Sequence, residues 1–508
     1  MLPETMRPKL NVLSDEVVGR IVDEAVEILS KRGVEIDNEE AVALLSDHGA
    51  EIDGKERPTV KIPPDVVSKA LESAPSSIEM YSLDGEPALD LSGDNVYFDP
   101  GSAAIKFLDM SQGAVRKPVT ADYVAFVQVA EALEHIDAQS TAMIPADVPH
   151  PIADSYRLFL SLHNCKKPIV TGAFSAEGFR PMKEMLAAAR GGEDELSAKP
   201  LAIFDVCPSS PLVWHRSTSQ NLLDCARARI PAELVSMPLA GAIGPVTLAG
   251  SLVQHTAETL SGIAMHQLCE PGAPIIYGGS PAIFDMRCGT TPMGAIDTML
   301  MDCAYVQIGK SLGVPTHAYM GLSDAKTLDA QCGFEAGMGT LLAALAGVNV
   351  VSGAGMLDFE SCQSIEKLVI DNEVCGMARR MISGVTVREI PIALPLLEDL
   401  TDADSLLTHP HTMRWYKEEH HLPSAVVDRA KGSEGTVSGS KEAWQRAGEM
   451  ARRILREHRP DPISPDISAE LLRIMGAEAA RYGIDRLPPQ APQPGGGSDR
   501  GNVEYERV

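Results

Sequence analysis

The chain has 508 residues, and its 44 basic against 70 acidic side chains give a formal charge of −26. That excess of acid argues against a nucleic-acid or anionic-membrane surface and favours small-molecule or protein partners. The nine cysteines are odd in number and irregularly spaced, with no Cys-x-x-Cys, which argues against a disulfide framework or a structural zinc site.

Residues 1–90 read as a mainly helical segment. Ser14-Asp-Glu opens a helix whose apolar positions Val17, Val18, Ile21, Ala25 and Ile28 recur at helical spacing. Val34-Glu-Ile and Ala50-Glu-Ile-Asp-Gly read as brief strands, and Pro63-Pro64 starts another helix. The pattern suggests a cap or docking module, with nothing catalytic in it. The start of the chain lacks the basic-then-apolar layout of a signal peptide. No uninterrupted apolar run reaches the roughly 18 residues of a membrane span. The chain therefore reads as cytoplasmic.

Residues 91–400 carry eight apolar runs, at 96–98, 136–144, 168–174, 201–207, 230–237, 274–277, 314–320 and 348–352. Most are followed by a helical segment, such as 295–312 or 334–345. Eight strand–helix units in series predict an α/β fold, a (β/α)8 TIM barrel. The competing doubly wound sheet is weakened by the lack of a Gly-x-Gly-x-x-Gly turn. Residues 401–487 read as a C-terminal helical extension, with helices at 441–458 and 468–482. Residues 488–508 are rich in proline and glycine and read as disordered.

Barrel chemistry belongs at the C-terminal strand ends. Alternation puts His317 and Tyr319 on one face of the seventh strand, just before the polar loop that carries Ser323, Asp324 and Lys326. Asp205 interrupts an apolar strand, where an unpaired carboxylate is costly, so a cationic partner is expected. Tyr97, Phe98, Tyr277, Phe359 and Glu360 stand near other strand ends. Cys207 makes a weak nucleophile candidate, because no histidine has an evident reason to face it. His409-Pro-His411 and His420-His421 lie among charged residues without matching ligand spacing, and read as a solvated or interface segment with no metal.

Several motifs carry a resemblance: Ala74-Pro-Ser-Ser77, Lys167-Pro-Ile-Val-Thr-Gly-Ala-Phe174, Met237-Pro-Leu-Ala-Gly-Ala242 and Gly244-Pro-Val-Thr-Leu-Ala-Gly250. Ser323-Asp-Ala-Lys326, Asp329-Ala-Gln331, Leu345-Ala-Gly-Val-Asn349 and Gly353-Ala-Gly-Met-Leu357 extend it along the chain. With these the sequence resembles the trimethylamine methyltransferase family, in its branch without pyrrolysine, over all but the proline-rich tail. The resemblance implies a (β/α)8 barrel that moves a methyl group from an amine to the Co(I) of a separate corrinoid protein. It implies no tightly bound cofactor in this chain, since the cobalamin belongs to the partner.

The resemblance also makes a quaternary amine, glycine betaine first, the expected donor, because the branch without pyrrolysine includes a glycine betaine methyltransferase. A quaternary ammonium is already a cationic methyl donor. A pocket for it needs aromatic faces or carboxylates, for which Tyr97, Phe98, Tyr277, Tyr319, Phe359, Asp205 and Glu360 are the candidates. His317 and Lys326 are the expected donors to a betaine carboxylate. No catalytic residue is assigned. Another N-methylated betaine or methylamine, a non-catalytic amine-binding paralogue, and a homo-oligomer all stay open.

Overall fold

The computed structural model describes residues 5–55, 57–398, 400, 405–431, 441–460 and 463–488. Each of the eight apolar runs overlaps a short strand: β1 Tyr97–Pro100, β2 Gln139–Ser140, β3 Ile169–Thr171, β4 Ala202–Val206, β5 Ala232–Ser236, β6 Ile275–Gly279, β7 His317–Tyr319 and β8 Val350–Ala354. Parallel strands covered on both faces read as apolar runs rather than alternating ones, which is why they stand out in the sequence. One parallel sheet takes β2 to β6 in order, and a second takes β7, β8 and β1. The two adjoin at both ends. Tyr277 of β6 bridges in parallel to Thr316, and the Asp137 and Ala138 amides donate to the Phe98 carbonyl at 2.7 and 3.3 Å.

A helix follows every strand: α1 Thr120–Ala132, α2 Ala153–Asn164, α3 Phe179–Arg190, α4 Arg216–Ala228, α5 Leu248–Cys269, α6 Ile296–Ser311, α7 Ala330–Ala346 and α8 Ile365–Ile382. Their ends are written locally. Asp329 accepts from the Gln331 and Cys332 amides at 2.9 and 3.3 Å to start α7, and Gly347, at φ 73°, ends it. No helix among the described residues is long and apolar enough to cross a membrane.

α5 is buried on nearly every side, the polar row of Gln254, Glu258 and Ser261 included. The N-terminal helices Asp15–Lys31 and Pro64–Ser73 pack against it. The strand Val34–Ile36 pairs in parallel with Val213–Trp214, and Trp214 Nε1 donates to Ser261 of α5 at 2.8 Å. The N-terminal segment, expected as a cap or docking module, instead shares one continuous core with the strand–helix units. At the other end, the helix Ala443–Glu457 packs on α8 and α1, and Pro465–Arg481 on α3 and α2. The tail expected to be disordered lies outside the described residues except for Pro488, whose carbonyl accepts from Tyr156 at 2.9 Å.

The space inside the strands has two unlike layers. At the strands' N-terminal ends Ala138, Val170, Ile203, Ile276 and Val350 form an apolar cluster with Ile78, Met80, Leu89 and Leu91. The last four flank or belong to the hairpin of Glu79–Tyr81 and Pro87–Asp90, which plugs that end. One alternation further along the strands the inward positions turn polar.

Candidate active site

Parallel register sets Asp205 of β4 directly beside Glu233 of β5. Both carboxyls are removed from water, and a charge there is expensive. Burial pushes Glu233 up to about 8, and burial together with Glu233 raises Asp205 well above the usual carboxylate range. His317 of β7 completes the group, with Nδ1 2.8 Å from Glu233 Oε1 and Nε2 3.0 Å from Ser352 Oγ. Ser352 Oγ in turn donates to Asp99 Oδ2 at 2.7 Å.

With Ser352 donating to Asp99, His317 Nε2 is placed to donate to Ser352 Oγ. Its Nδ1 lies close to the Glu233 carboxyl without a well-aligned hydrogen bond among the described residues. Burial pulls His317 down to about 4, against the opposing field of Asp205, which disfavours an imidazolium beside Glu233. Gly278 makes the room: a Cβ there would stand 2.8 Å from the Leu234 carbonyl and 3.1 Å from His317 Nδ1.

Tyr319 stands edge-on to His317, with ring centroids 4.7 Å apart, and its hydroxyl donates to Asp205 Oδ2 at 3.3 Å. Above them hangs Glu360, on a turn where Asp358, Phe359 and Glu360 have φ of 52°, 56° and 64°. Three successive non-glycine residues in the left-handed region are strained, on the order of 1–2 kcal/mol each. The turn is held from outside. Asp358 takes Lys106 at 2.7 Å and Lys326 at 3.6 Å, and the Lys326 ammonium lies 3.7 Å from the centre of the Phe359 ring. The result aims Glu360 inward, where burial, Asp324 and Asp205 push it up to about 8. Its Oε1 is buried without a hydrogen-bond partner among the described residues.

His317, Tyr319, Asp205 and Glu360 therefore meet in one acidic bowl, with Phe359 and Lys326 on its outer wall. Three expected residues do not join them. Tyr97 accepts from the Asp90 amide at 3.1 Å, at the plugged end. Phe98 points outward, under the Arg379 guanidinium at 5.4 Å. Tyr277 also points outward, donating to Thr256 of α5 at 3.0 Å. Cys207 borders the bowl, but burial and the nearby Asp205, Glu233 and Glu360 raise its thiol pKa, which leaves it a poor nucleophile. His409 accepts from the His411 amide at 3.1 Å to cap the helix Pro410–Glu419, far in sequence from the bowl.

Of the other bowl residues, Asp99 and Ser352 do stand at strand ends in the sequence but carry no signal that singles them out as contacts, and Glu233 is the one that strand-end reading missed. Glu233 carried a usable signal, since it interrupts an apolar strand as Asp205 does.

At the rim, α2 delivers Arg157, which is 1% exposed. Its Nε donates to the Ala153 carbonyl at 3.2 Å and its Nη1 to the Thr141 carbonyl at 2.6 Å. The guanidinium lies 4.6 Å from the centre of the Phe174 ring, and that ring also stacks on His150.

A family model described as trimethylamine methyltransferase (MTTB) matches residues 2–481. The chain is 30% identical over 473 residues to the trimethylamine methyltransferase MttB of Desulfitobacterium hafniense (strain DSM 10664 / DCB-2), covering 93% of this chain and 95% of that protein. It is also 30% identical over 478 residues to the glycine betaine methyltransferase of Desulfitobacterium hafniense (strain Y51), covering 94% and 98%. Among solved structures, the Methanosarcina barkeri monomethylamine methyltransferase (MtmB) superposes with a TM-score of 0.52 at 13% identity, over 88% of each chain. That last likeness speaks for the fold alone.

Proposed function

This chain is a methyltransferase of the trimethylamine methyltransferase family, and from that premise we propose that it moves a methyl group from a quaternary amine, glycine betaine first, to the Co(I) of a corrinoid protein. The observation that carries this reading is the acidic bowl. Asp99, Asp205, Glu233 and Glu360 converge there, while the one histidine among them is held neutral. A cation is the guest such a site favours. Its arrival would favour the ionised form of a carboxyl that burial otherwise holds protonated, turning a costly buried charge into an ion pair.

In this reading Asp205, Glu360 and the face of Tyr319 receive the ammonium. His317, pinned between Glu233 and Ser352, holds the floor and keeps Tyr319 in place. The bowl supplies position and water exclusion; it need not activate the donor. The C–N electron pair leaves with nitrogen as a neutral tertiary amine, so the donor's own charge provides the leaving group. A closed (β/α)8 barrel is supported by the strand order and by the contacts at both seams. A partner at the open end is supported by the exposed apolar side chains of Phe174, Val246 and Met286 on strand-end loops.

The test is methyl transfer to free Co(I) cobalamin from a panel of quaternary and tertiary amines. Glycine betaine or another N-methylated betaine should be demethylated. Activity confined to trimethylamine or dimethylamine would overturn the reading. Tight betaine binding with no transfer to either free or protein-bound Co(I) would make the chain a binding paralogue.

A further inference from the structure

We propose that Arg157 is the carboxylate anchor of this site, so that the bowl and its rim together select a zwitterion, cation inward and carboxylate at the rim. The inference rests on the quaternary-amine reading above and adds the other half of the substrate.

An arginine cannot shed its charge, and burying one without a counter-ion costs several kcal/mol. Arg157 is in that position. Among the described residues it makes no ion pair: its Nε and Nη1 donate to backbone carbonyls, and the carboxyls of Asp154 and Asp205 act on it only from a distance. Asp154, the nearest acid in sequence, is committed elsewhere: its oxygens accept from the Ser155 amide at 2.7 Å and the Phe174 amide at 2.9 Å. It steadies the loop that holds Phe174 against the guanidinium. Stacked between that ring and two backbone carbonyls, the fork has a fixed plane, which suits a planar carboxylate.

Position agrees. Arg157 bonds the carbonyl of Thr141, just past the end of β2, while Asp205 sits on β4, two strands away. Two strand spacings are about 10 Å, and between them runs Gly172, which has no side chain to close the gap. A Cβ at Gly172 would stand 3.5 Å from Asp205 Cβ. Burial lowers the Arg157 pKa, and Tyr123, Asp154 and Asp205, in that order, oppose the fall, which puts Asp205 within electrostatic reach of the guanidinium. The donors expected from sequence are less available. His317 has Nε2 on Ser352 and Nδ1 turned to the Glu233 carboxyl, away from the rim, and Lys326 donates to the Asp324 carbonyl at 2.6 Å and lies over Phe359.

The experiment is calorimetric titration of the full chain with glycine betaine, its methyl ester and choline, repeated with Arg157→Lys and Arg157→Met. The native protein should prefer betaine over the ester and over choline by about 10- to 100-fold, the worth of a charged hydrogen-bonded pair. Arg157→Met should erase that preference, and Arg157→Lys should restore part of it. Equal binding of betaine and its ester by the native protein, or unchanged betaine affinity in a folded Arg157→Met, would sink the anchor. The native-protein comparison stands even where the methionine variant fails to fold. Turnover of trimethylamine alone would remove the quaternary-amine reading itself, and the anchor with it. Betaine turnover with no loss in Arg157→Met would remove only the anchor.

Discussion

The two layers inside the strands are built from the same segments by the same alternation, yet they obey opposite rules. The lower layer, Ile203, Ile276 and Val350 against the Met80 hairpin, is apolar and plugged. The upper layer, two residues along several of those strands, buries Glu233, His317 and Ser352 beside a half-buried Asp205. The lower one stabilises by burial and packing. The upper one is costly to bury, and burial raises Asp99, Asp205 and Glu233 towards their neutral forms. Placing a costly polar layer directly on a well-packed one lets the fold bear strain at the site without losing cooperativity.

The contrast can be broken from either side. The largest expected effect is in the lower layer: Ile276→Ala should cost about 2–5 kcal/mol in urea unfolding, with betaine affinity of the folded protein unchanged. A small stability loss coupled to lost binding would mean the layers are not separable. Next, Asp205→Asn should weaken betaine binding about 10- to 100-fold, as a charged contact is lost, while stability holds or rises.

The third test is pH. Glu233 has a folded-state pKa of about 8 against an ordinary value of 4.5, so the folded chain binds its proton more tightly than the unfolded chain does. Its contribution to stability is fully present below the unfolded value and is lost as pH climbs towards 8. The slope is about 1.4 kcal/mol per pH unit within that window. Glu233→Gln should flatten the decline, measured by urea midpoints between pH 5 and 8. Betaine affinity should run the other way, rising over the same range as carboxylates form, with proton release visible in buffers of different ionisation enthalpy. A pH-independent affinity would contradict the neutral-bowl picture. The smallest effect is on the outer wall. Asp358→Asn removes two partly exposed ion pairs and should cost under about 1 kcal/mol, yet raise KM by freeing Glu360.

Much of the architecture is legible in the chain. Eight apolar runs separated by helical segments mark eight parallel strands, because strands covered on both faces are apolar throughout. The same property hides which residue faces inward. Strand 1 read as 96–98 puts Tyr97 and Phe98 at the mouth. The strand runs on to Pro100, so its mouth-side inward position is Asp99, while alternation turns Phe98 outward. Tyr277 was misplaced for a like reason, the inward position beside it being Gly278. His317 and Tyr319 came out together because β7 is followed at once by a polar loop that fixes where the strand stops.

What the sequence by itself determined is the order of elements and the kind of chemistry, because hydrophobic period and local motifs are properties of neighbours along the chain. Which side chains share the bowl was decided only by tertiary structure. Asp99, Asp205, Glu233, His317 and Ser352 come from five strands spread over more than 250 residues. Their protonation states exist only once burial and register have brought them together. Arg157 makes the same point: along the chain it is one more helical arginine, and only in the fold is it a buried charge with no carboxylate of its own.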